Sequence, residues 1–421
     1  MITRIVEPNE AWKGGLVRSV AFEGSVDLAA EREKCASMTP EEIAAAKQPP
    51  APEGPPLLSD RFRSADEWGT FADDNETLFG SILVNNYTAN FDGHPVLMGG
   101  IGGVATLPQH RRGGVIRRCF EKALPDMYEK GFLLSALYPF SQSYYRQFGY
   151  EVGAEVRTWT VELDAIPLLP PRGSIVQLFP GDDFSPLLDI YQKFYEKYNL
   201  SVFRKVYDRA LLKDNLLAQQ RYVYLWRSET GEPRGFFLSK KTDDRVFNCT
   251  TNFWLPNAFL ALDAEAYAAM FSFIRRTFAA DYRTLRLDTP GCVDLRSFFA
   301  EHNKVECALR YNGMIRVVNV ETALRLCRTN GAGRVKIAVD DPQLAQNTGT
   351  WLLEFSGGEN RVSRTEEAPD IFMPVSAFGP LICGCRGAEE LPLIPAVQVL
   401  NGDAPLASVF YRKPCHMLNL F

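Results

Sequence analysis

The sequence predicts a mixed α/β (α+β) protein of three domains, the second of which repeats the plan of the first. Three observations support this fold class. With 421 residues, the chain is too long for one ordinary hydrophobic core. Strand-like and helix-like patterns alternate along its first part, and the same order returns in the middle. Apolar residues make up 46% and charged residues 23% of the chain, which is typical of folded proteins.

The first predicted domain covers residues 1–160. Residues 27–58 begin as a charged helix and end in a proline-rich stretch, so we expect an exposed insertion there. Pro125 is expected to disturb the helix in which it lies. The elements predicted after the insertion are two strands within 77–108 joined by the turn Asp92-Gly93, a helix over 115–131, a strand over 131–139 and a helix from 141 that Gly149 ends.

The second predicted domain covers residues 161–312 and opens with the proline-rich joint 166–173. Its later part repeats the order strand, helix, strand, helix, with the final helix in DLRSFFAEHN (294–303). The third predicted domain covers residues 313–421. It contains alternating strands in RVKIAVDD and TWLLEFSG and a helix around SAFGPLICGC.

Charge and cysteine content exclude several classes of function. A formal net charge of −5 argues against a nucleic-acid partner, and no window has the roughly 20 apolar residues of a membrane-spanning helix. We therefore expect a cytoplasmic protein without a membrane partner. The nine cysteines lack paired spacing, which predicts reduced thiols. Cys383 and Cys385 form one local pair, but no matching second pair exists, so we expect no metal.

One short stretch, HRRGGVIRR (110–118), combines two glycines with four arginines at a predicted helix start. The first turn of a helix leaves about four N–H groups without partners and carries partial positive charge. Gly113 and Gly114 would let an anion approach these groups, and Arg111 and Arg112 could add forked hydrogen bonds. The stretch suits a diphosphate. The nine residues are equally typical of a solvated, basic helix start.

Two other kinds of phosphate site are excluded by spacing. The sequence lacks G-x-x-x-x-G-K-[ST], and it lacks G-x-G-x-x-G with an acidic residue about 20 positions further on. Both nucleotide hydrolysis and dinucleotide redox chemistry are therefore disfavoured.

The stretch LPQHRRGGVIRR, after the strand MGGIGGVAT, resembles the acetyl-coenzyme A loop of the GCN5-related N-acetyltransferases (GNAT), [Q/R]-x-x-G-x-[G/A]. Arg111 and Gly114 match this signature, whereas Ile116 stands where the family has a small residue. The longer context, with LYPFSQSYYRQFGYE, is similar to the Eis-like (enhanced intracellular survival) branch. That resemblance implies a GNAT domain, a degenerate GNAT-like domain and a sterol-carrier-like domain.

The resemblance also implies a site and a reaction. The co-substrate would be acetyl-CoA, and the acceptor a primary amine on an aminoglycoside, a polyamine-like molecule or a lysine. The pattern Tyr-x-x-Phe-Gly-[Tyr/Trp] places the general acid at Tyr145, and the C-terminal carboxylate of Phe421 would act as the base. The implied cofactor-binding residues are Val104, Thr106, Arg111, Arg112, Gly113, Gly114 and Ile116. Eis-like proteins form hexamers, so a homo-oligomer is implied as well.

Several nearby residues are candidates with weaker support. Cys119 falls on the apolar helix face, which is more typical of a core position than of a nucleophile, so we expect direct transfer. His110 and His416 belong to no catalytic pattern. In the second copy, Asp263 and Glu265 replace the arginines and would repel a diphosphate. The alternative function is a non-catalytic protein that binds an apolar ligand or lipid in its sterol-carrier-like domain.

Overall fold

The computed structural model describes residues 1–24, 27–51, 54, 56–204, 220–240, 244–250, 259–311 and 313–417. The chain divides into two compact units. The first consists of residues 1–153 and 313–412, and the second of residues 154–312 together with the segment that begins at Lys413. The mixed α/β fold class is confirmed, and the three domain boundaries given above stay a prediction.

The first part of unit 1 combines one mixed sheet with helices. Its strands are β1 (Ile2–Ile5), β2 (Ala65–Phe71), β3 (Leu78–Phe91), β4 (His94–Thr106), β5 (Leu134–Leu137), β6 (Glu151–Val152) and β15 (Met314–Val317). They lie in the order β1-β2-β3-β4-β5-β15-β6. The long hairpin β3–β4 turns at Asp92 and Gly93, as predicted. The helices are α1 (Ala11–Phe22), α2 (Leu28–Ala36), α3 (Pro40–Ala46), α4 (Val115–Glu129) and α5 (Gln142–Arg146).

One expectation for this region was wrong, and a second was incomplete. Helix α4 continues through Pro125, because the carbonyl that loses its N–H partner belongs to Glu121 on the exposed side of the helix, where water can satisfy it. The insertion holds two helices rather than one. The second of them starts at a capping box, in which the Thr39 side chain accepts from Glu42 N–H and the Glu42 side chain accepts from Thr39 N–H.

The later part of unit 1 forms a second sheet. The elements are α8 (Val320–Leu326), β16 (Ala332–Asp340), β17 (Gly349–Ser356), β18 (Glu359–Arg364), β19 (Ile371–Pro374), α9 (Val375–Ile382), β20 (Gln398–Val399) and α10 (Leu406–Val409). Among the described residues this sheet has five strands, in the order β18-β17-β16-β19-β20. The two strands and the helix predicted here are confirmed as β16, β17 and α9.

Unit 2 is built on a third sheet. The elements are β7 (Glu155–Glu162), β8 (Ser174–Leu178), α6 (Ser185–Tyr195), β9 (Arg221–Arg227), β10 (Pro233–Lys240), β11 (Val246–Cys249), β12 (Phe259–Ala261), α7 (Ala264–Phe278), β13 (Thr284–Pro290) and β14 (Val305–Tyr311). The strand order is β14-β7-β13-β11-β10-β9-β8, with β12 paired to β10. The helix expected in DLRSFFAEHN was wrong: the structure has a 3-10 turn, Arg296–Phe298, and the start of a second one, His302–Lys304.

The two units share one topological feature. In unit 1, β4 pairs in parallel with β5, the strand that follows helix α4. In unit 2, β11 pairs in parallel with β13, the strand that follows helix α7. Residues 251–255, the end of the predicted strand RVFNCTTNFWL, lie outside the described residues.

Candidate active site

The central strand β4 parts from its neighbour β5 before it ends. The parallel pairing runs from Met98 opposite Leu134 to Ile101 opposite Leu137. On its other side, β4 stays paired with β3 as far as Thr106, with a bulge around Gly103. The last five residues of β4, including Val104 and Thr106, therefore present an edge toward β5 that no described strand pairs. Free backbone N–H and C=O groups at such an edge can bind an extended ligand.

The chain that follows β4 turns sharply into helix α4. A 3-10 turn, Pro108–His110, leads to Arg112 and Gly114, which both have left-handed backbone, with φ of 64° and 75°. Gly114 is the N-cap residue of α4, and no side chain of the described residues caps the helix there. A Cβ on Gly114 would meet no atom within 4 Å. The first-turn N–H groups of α4 are therefore open to an incoming anion.

The arginines beside this helix start are exposed and carry uncompensated charge. Arg117 donates to the Gln147 side-chain oxygen at 2.6 Å, a neutral partner. Among the described residues, no carboxylate forms an ion pair with Arg111, Arg112, Arg117 or Arg118. Positive side chains and the positive end of the helix thus lie together in a chain whose net charge is negative.

Two side chains hold the helix start in place. Thr70, fully buried on β2, donates a hydrogen bond from Oγ1 to the carbonyl of Val115 at 3.0 Å. The His110 ring stacks on Phe79, with ring centroids 3.7 Å apart. Sequence reasoning missed Thr70 and Phe79, because their relation to the loop depends on strand pairing that no local pattern encodes.

Ile116 and Tyr145 meet in the core beneath the loop. Ile116 is 7% exposed and packs into the same hydrophobic cluster as Phe120 and Tyr145. Its side chain thus points away from the open helix start. The family signature has a small residue at this position. Here the larger Ile116 side chain packs in the core, and the backbone of the turn stays accessible.

Tyr145 lies on the short helix α5 and is 2% exposed. Its ring makes edge contacts with Phe120, Phe140 and Tyr144. Burial raises the pKa of the Tyr145 phenol well above its ordinary value. No described residue accepts or donates a hydrogen bond at its hydroxyl, which is therefore available to a ligand.

The other two tyrosines of SYYRQFGYE have different surroundings. The Tyr150 hydroxyl shares a hydrogen bond of 2.6 Å with Ser135 Oγ, which also donates to the Gly99 carbonyl. Burial raises the pKa of Tyr150 to about 12. Tyr144 is half-buried, and burial raises the pKa of its phenol too. The Tyr150 hydroxyl therefore already forms a hydrogen bond with a residue of the sheet, which leaves its proton unavailable to a leaving group.

Cys119 is a core residue of α4. Its thiol is fully buried and lies 3.3 Å from Thr70 Oγ1. Burial raises the pKa of Cys119 to about 12, so the thiolate is not populated at neutral pH. These surroundings do not activate it as a nucleophile.

Phe421 lies outside the described residues, but the tail that leads to it can be followed to Met417. Within unit 2, Asn199 N–H donates to the Pro414 carbonyl at 2.8 Å, and His416 N–H donates to the Asn199 carbonyl at 3.0 Å. The buried His416 ring stacks on Tyr195 and shares a hydrogen bond of 3.0 Å with its hydroxyl. Burial lowers the pKa of His416 to about 3. The tail is therefore docked four residues before its end.

The corresponding helix start in unit 2 is closed by its own carboxylates. Asp263 is the N-cap residue of α7 and accepts from Ala266 N–H at 2.9 Å. Arg234 forms ion pairs with both Asp263 and Glu265. A carboxylate thus occupies the place where an anion would bind.

Two general features of the described residues bear on function. No helix among them is both long and apolar enough to cross a membrane. In the same residues, no three histidine, cysteine or acidic side chains are grouped so that they could hold a metal ion.

Comparison with known proteins identifies two domain families in the chain. The acetyltransferase (GNAT) domain family matches residues 48–153, and the sterol carrier protein domain family matches residues 320–415. An uncharacterized N-acetyltransferase of Streptomyces avermitilis is 24% identical over 330 residues, which cover 74% of this chain and 78% of that relative.

Solved structures share the fold over the whole chain. A probable N-acyltransferase from Enterococcus faecalis has a TM-score of 0.82 at 18% identity, with both chains fully covered. Eis1 from Mycobacterium abscessus has a TM-score of 0.75 at 19% identity, again with full coverage of both chains. The GNAT domain that the acetyl-coenzyme A loop predicted is confirmed by the family match over residues 48–153.

Proposed function

We propose that this chain is an Eis-like acetyltransferase, dependent on acetyl-CoA, that transfers the acetyl group directly to a primary amine; the GNAT domain match over residues 48–153 and the sterol carrier protein domain match over residues 320–415 support this. The acceptor would be an aminoglycoside, a polyamine-like molecule or a lysine side chain. The open start of helix α4 is the observation that carries the proposal. Its uncapped N–H groups, the left-handed Gly114 and the unpaired Arg111 and Arg112 suit the diphosphate of coenzyme A.

The unpaired edge of β4 would hold the pantetheine arm. This arm contains two amides, and an extended chain of amides can hydrogen-bond to a strand edge as another strand would. Val104 and Thr106 supply backbone groups there, beyond the point at which β4 leaves β5. The arm would then direct the thioester along the gap between the two strands.

Tyr145 is the proposed general acid. The amine nitrogen attacks the thioester carbonyl and the C–N bond forms; the C–S bond then breaks, and the leaving thiolate takes the proton of the Tyr145 hydroxyl. The raised pKa keeps this phenol protonated throughout the neutral range. Its free hydroxyl supports this role, in contrast to the engaged hydroxyl of Tyr150.

The proposed base is the terminal carboxylate of Phe421. The hydrogen bonds of Pro414 and His416 within unit 2 anchor the described part of the tail, which supports this proposal. With an ordinary pKa of about 3.5, a terminal carboxylate is a weak base, so it would attract the cationic amine and remove its proton through a water molecule.

A thiol-release assay with acetyl-CoA and a panel of amines tests the activity, and calorimetry with coenzyme A tests the cofactor site. We expect turnover with at least one of the three acceptor classes and measurable affinity for coenzyme A. No affinity in well-folded protein would overturn the proposal. Deleting Phe421 tests the base separately: we expect kcat to fall while the affinity for coenzyme A is kept, and unaltered turnover would leave the tail a structural role only.

A further inference from the structure

The segment that follows Tyr145 is held by residues from far along the chain. Strand β15, which opens the later part of unit 1, is inserted between β5 and β6 of the acetyltransferase sheet. Met314 pairs with Leu137 on one side and with Val152 on the other. Strand β6, which ends the segment that follows Tyr145, is therefore connected to the rest of the acetyltransferase sheet through β15.

Arg316 is the polar side chain that β15 sends toward this segment. It is fully buried, and its guanidinium donates to the Phe148 carbonyl at 2.6 Å. Its other terminal nitrogen donates to both oxygens of Asp341, at 2.8 and 2.6 Å. Asp341 is also fixed, because it accepts from the N–H groups of Gln343 and Leu344. One buried ion pair thus links the later part of unit 1 to a backbone carbonyl three residues after Tyr145.

The backbone next to Phe148 is shaped around this guanidinium. Gly149 has a φ of 80°, and a Cβ there would lie 1.9 Å from the Arg316 nitrogen that contacts Phe148. Phe148 stacks on Phe120, with ring centroids 4.2 Å apart, and Phe120 also contacts the Tyr145 ring. A shift of the Phe148 backbone would therefore be passed through Phe120 to the phenol.

The pair is better suited to fixing geometry than to adding stability. The desolvation of two buried charges offsets most of their attraction. Arg316 Nε is also buried without a hydrogen-bond partner among the described residues. Burying these charged groups costs free energy, and the pair lies beside the helix α5 that carries the proposed general acid.

We propose that Arg316, held by Asp341, is a positioning residue for Tyr145, so that the later part of unit 1 acts as a scaffold for proton transfer. This inference rests on the proposed role of Tyr145. Through Asp341, the sterol-carrier-like domain would then contribute to catalysis without binding a ligand itself.

A double-mutant cycle tests the proposal. Arg316→Met leaves Asp341 as an unpaired buried charge, so Arg316→Met/Asp341→Asn serves as the charge-neutral variant that keeps the fold. We expect this double variant to lower kcat by about 10- to 100-fold, since a misplacement of about 1 Å can have that effect. The affinity for coenzyme A should change less than about twofold. In a Tyr145→Phe background, the same two changes should lower kcat no further, because the proton donor is already absent.

The outcomes separate the two hypotheses. An equal fall of kcat in both backgrounds would give Arg316 a structural role only and would overturn the positioning proposal, as would an unchanged kcat in the double variant. An unchanged kcat in Tyr145→Phe alone would overturn the assignment of the acid and, with it, the positioning role. Arg325→Met is the control: Arg325 forms an exposed pair with Glu321 in the same domain, and its loss should leave kcat unchanged.

Discussion

Replacing Gly114 by aspartate should abolish most of the affinity for coenzyme A and leave the protein folded. Gly114 is the N-cap residue of α4, and a side chain there meets no atom within 4 Å. The left-handed φ of 75° costs an ordinary residue about 1–2 kcal/mol. Aspartate at an N-cap regains about 1 kcal/mol by accepting a hydrogen bond from the first turn. The two contributions nearly cancel, so we expect little change in stability.

The expected loss of affinity follows from the charge. The new carboxylate would accept from the N–H groups that the diphosphate needs and would lie beside it. Two like charges about 4 Å apart repel by about 1 kcal/mol in water and by about 4 kcal/mol at an effective dielectric constant near 20. Since about 1.4 kcal/mol corresponds to a tenfold change, we expect Kd to rise at least tenfold. Calorimetry with coenzyme A measures this directly.

Gly131 provides a matched control at the other end of the same helix. Its φ is 80°, and a Cβ added there would likewise meet no atom within 4 Å. Gly131→Asp incurs the same backbone cost and places a negative charge at the negative end of the helix dipole. It should therefore lower stability by about 1–3 kcal/mol and leave the affinity for coenzyme A unchanged. Equal effects on affinity at Gly114 and Gly131, or a Kd within twofold of the parent in folded Gly114→Asp, would refute the assignment of the loop.

Three further predictions concern the titratable groups. Because burial raises the pKa of Tyr145, the phenol stays protonated to high pH, and kcat should show no alkaline fall below about pH 10; a fall centred near pH 8 would contradict this. Cys119→Ala should keep kcat within about twofold, since the thiol pKa of about 12 excludes a thiolate nucleophile, and trapping of an acetylated Cys119 by mass spectrometry would refute direct transfer. His416 has a folded pKa of about 3 against about 6.5 when unfolded, so the unfolded chain binds the extra proton and stability falls as pH drops below about 6.5. His416→Phe should remove about 1 kcal/mol of the stability lost between pH 7 and 5.5, as followed by denaturant unfolding at both values; an identical pH dependence in the variant would show that His416 does not contribute.

Local chemistry in the sequence determined the parts of the site that lie close together along the chain. The glycines and arginines of 110–118 predicted an open, basic helix start, and the structure has α4 begin at Val115 with Gly114 as an uncapped N-cap residue. The turn at Asp92-Gly93 and the end of helix α5 before Gly149 were likewise predicted, because left-handed backbone favours these residues whatever surrounds them.

Local patterns failed where a longer-range contact decided the outcome. DLRSFFAEHN has a helical spacing of apolar residues, but Leu295 and Phe299 are buried in the unit 2 core on either side of the 3-10 turn Arg296–Phe298. Pro125 removes a hydrogen bond from α4, but the remaining bonds and the buried face of that helix maintain it. In both cases the free energy of tertiary packing exceeded the preference of the local sequence for or against a helix.

The surroundings of Tyr145 were decided only by the tertiary structure. The sequence singled out this tyrosine by its spacing from Phe148 and Gly149, but it could not distinguish a free hydroxyl from an engaged one. That distinction depends on Ser135, which lies on strand β5 and forms a hydrogen bond with the hydroxyl of Tyr150. Arg316 lies 168 positions from the carbonyl it binds. A hydrogen bond over such a separation depends on how strands pair, and a motif of neighbouring residues contains no information about that pairing.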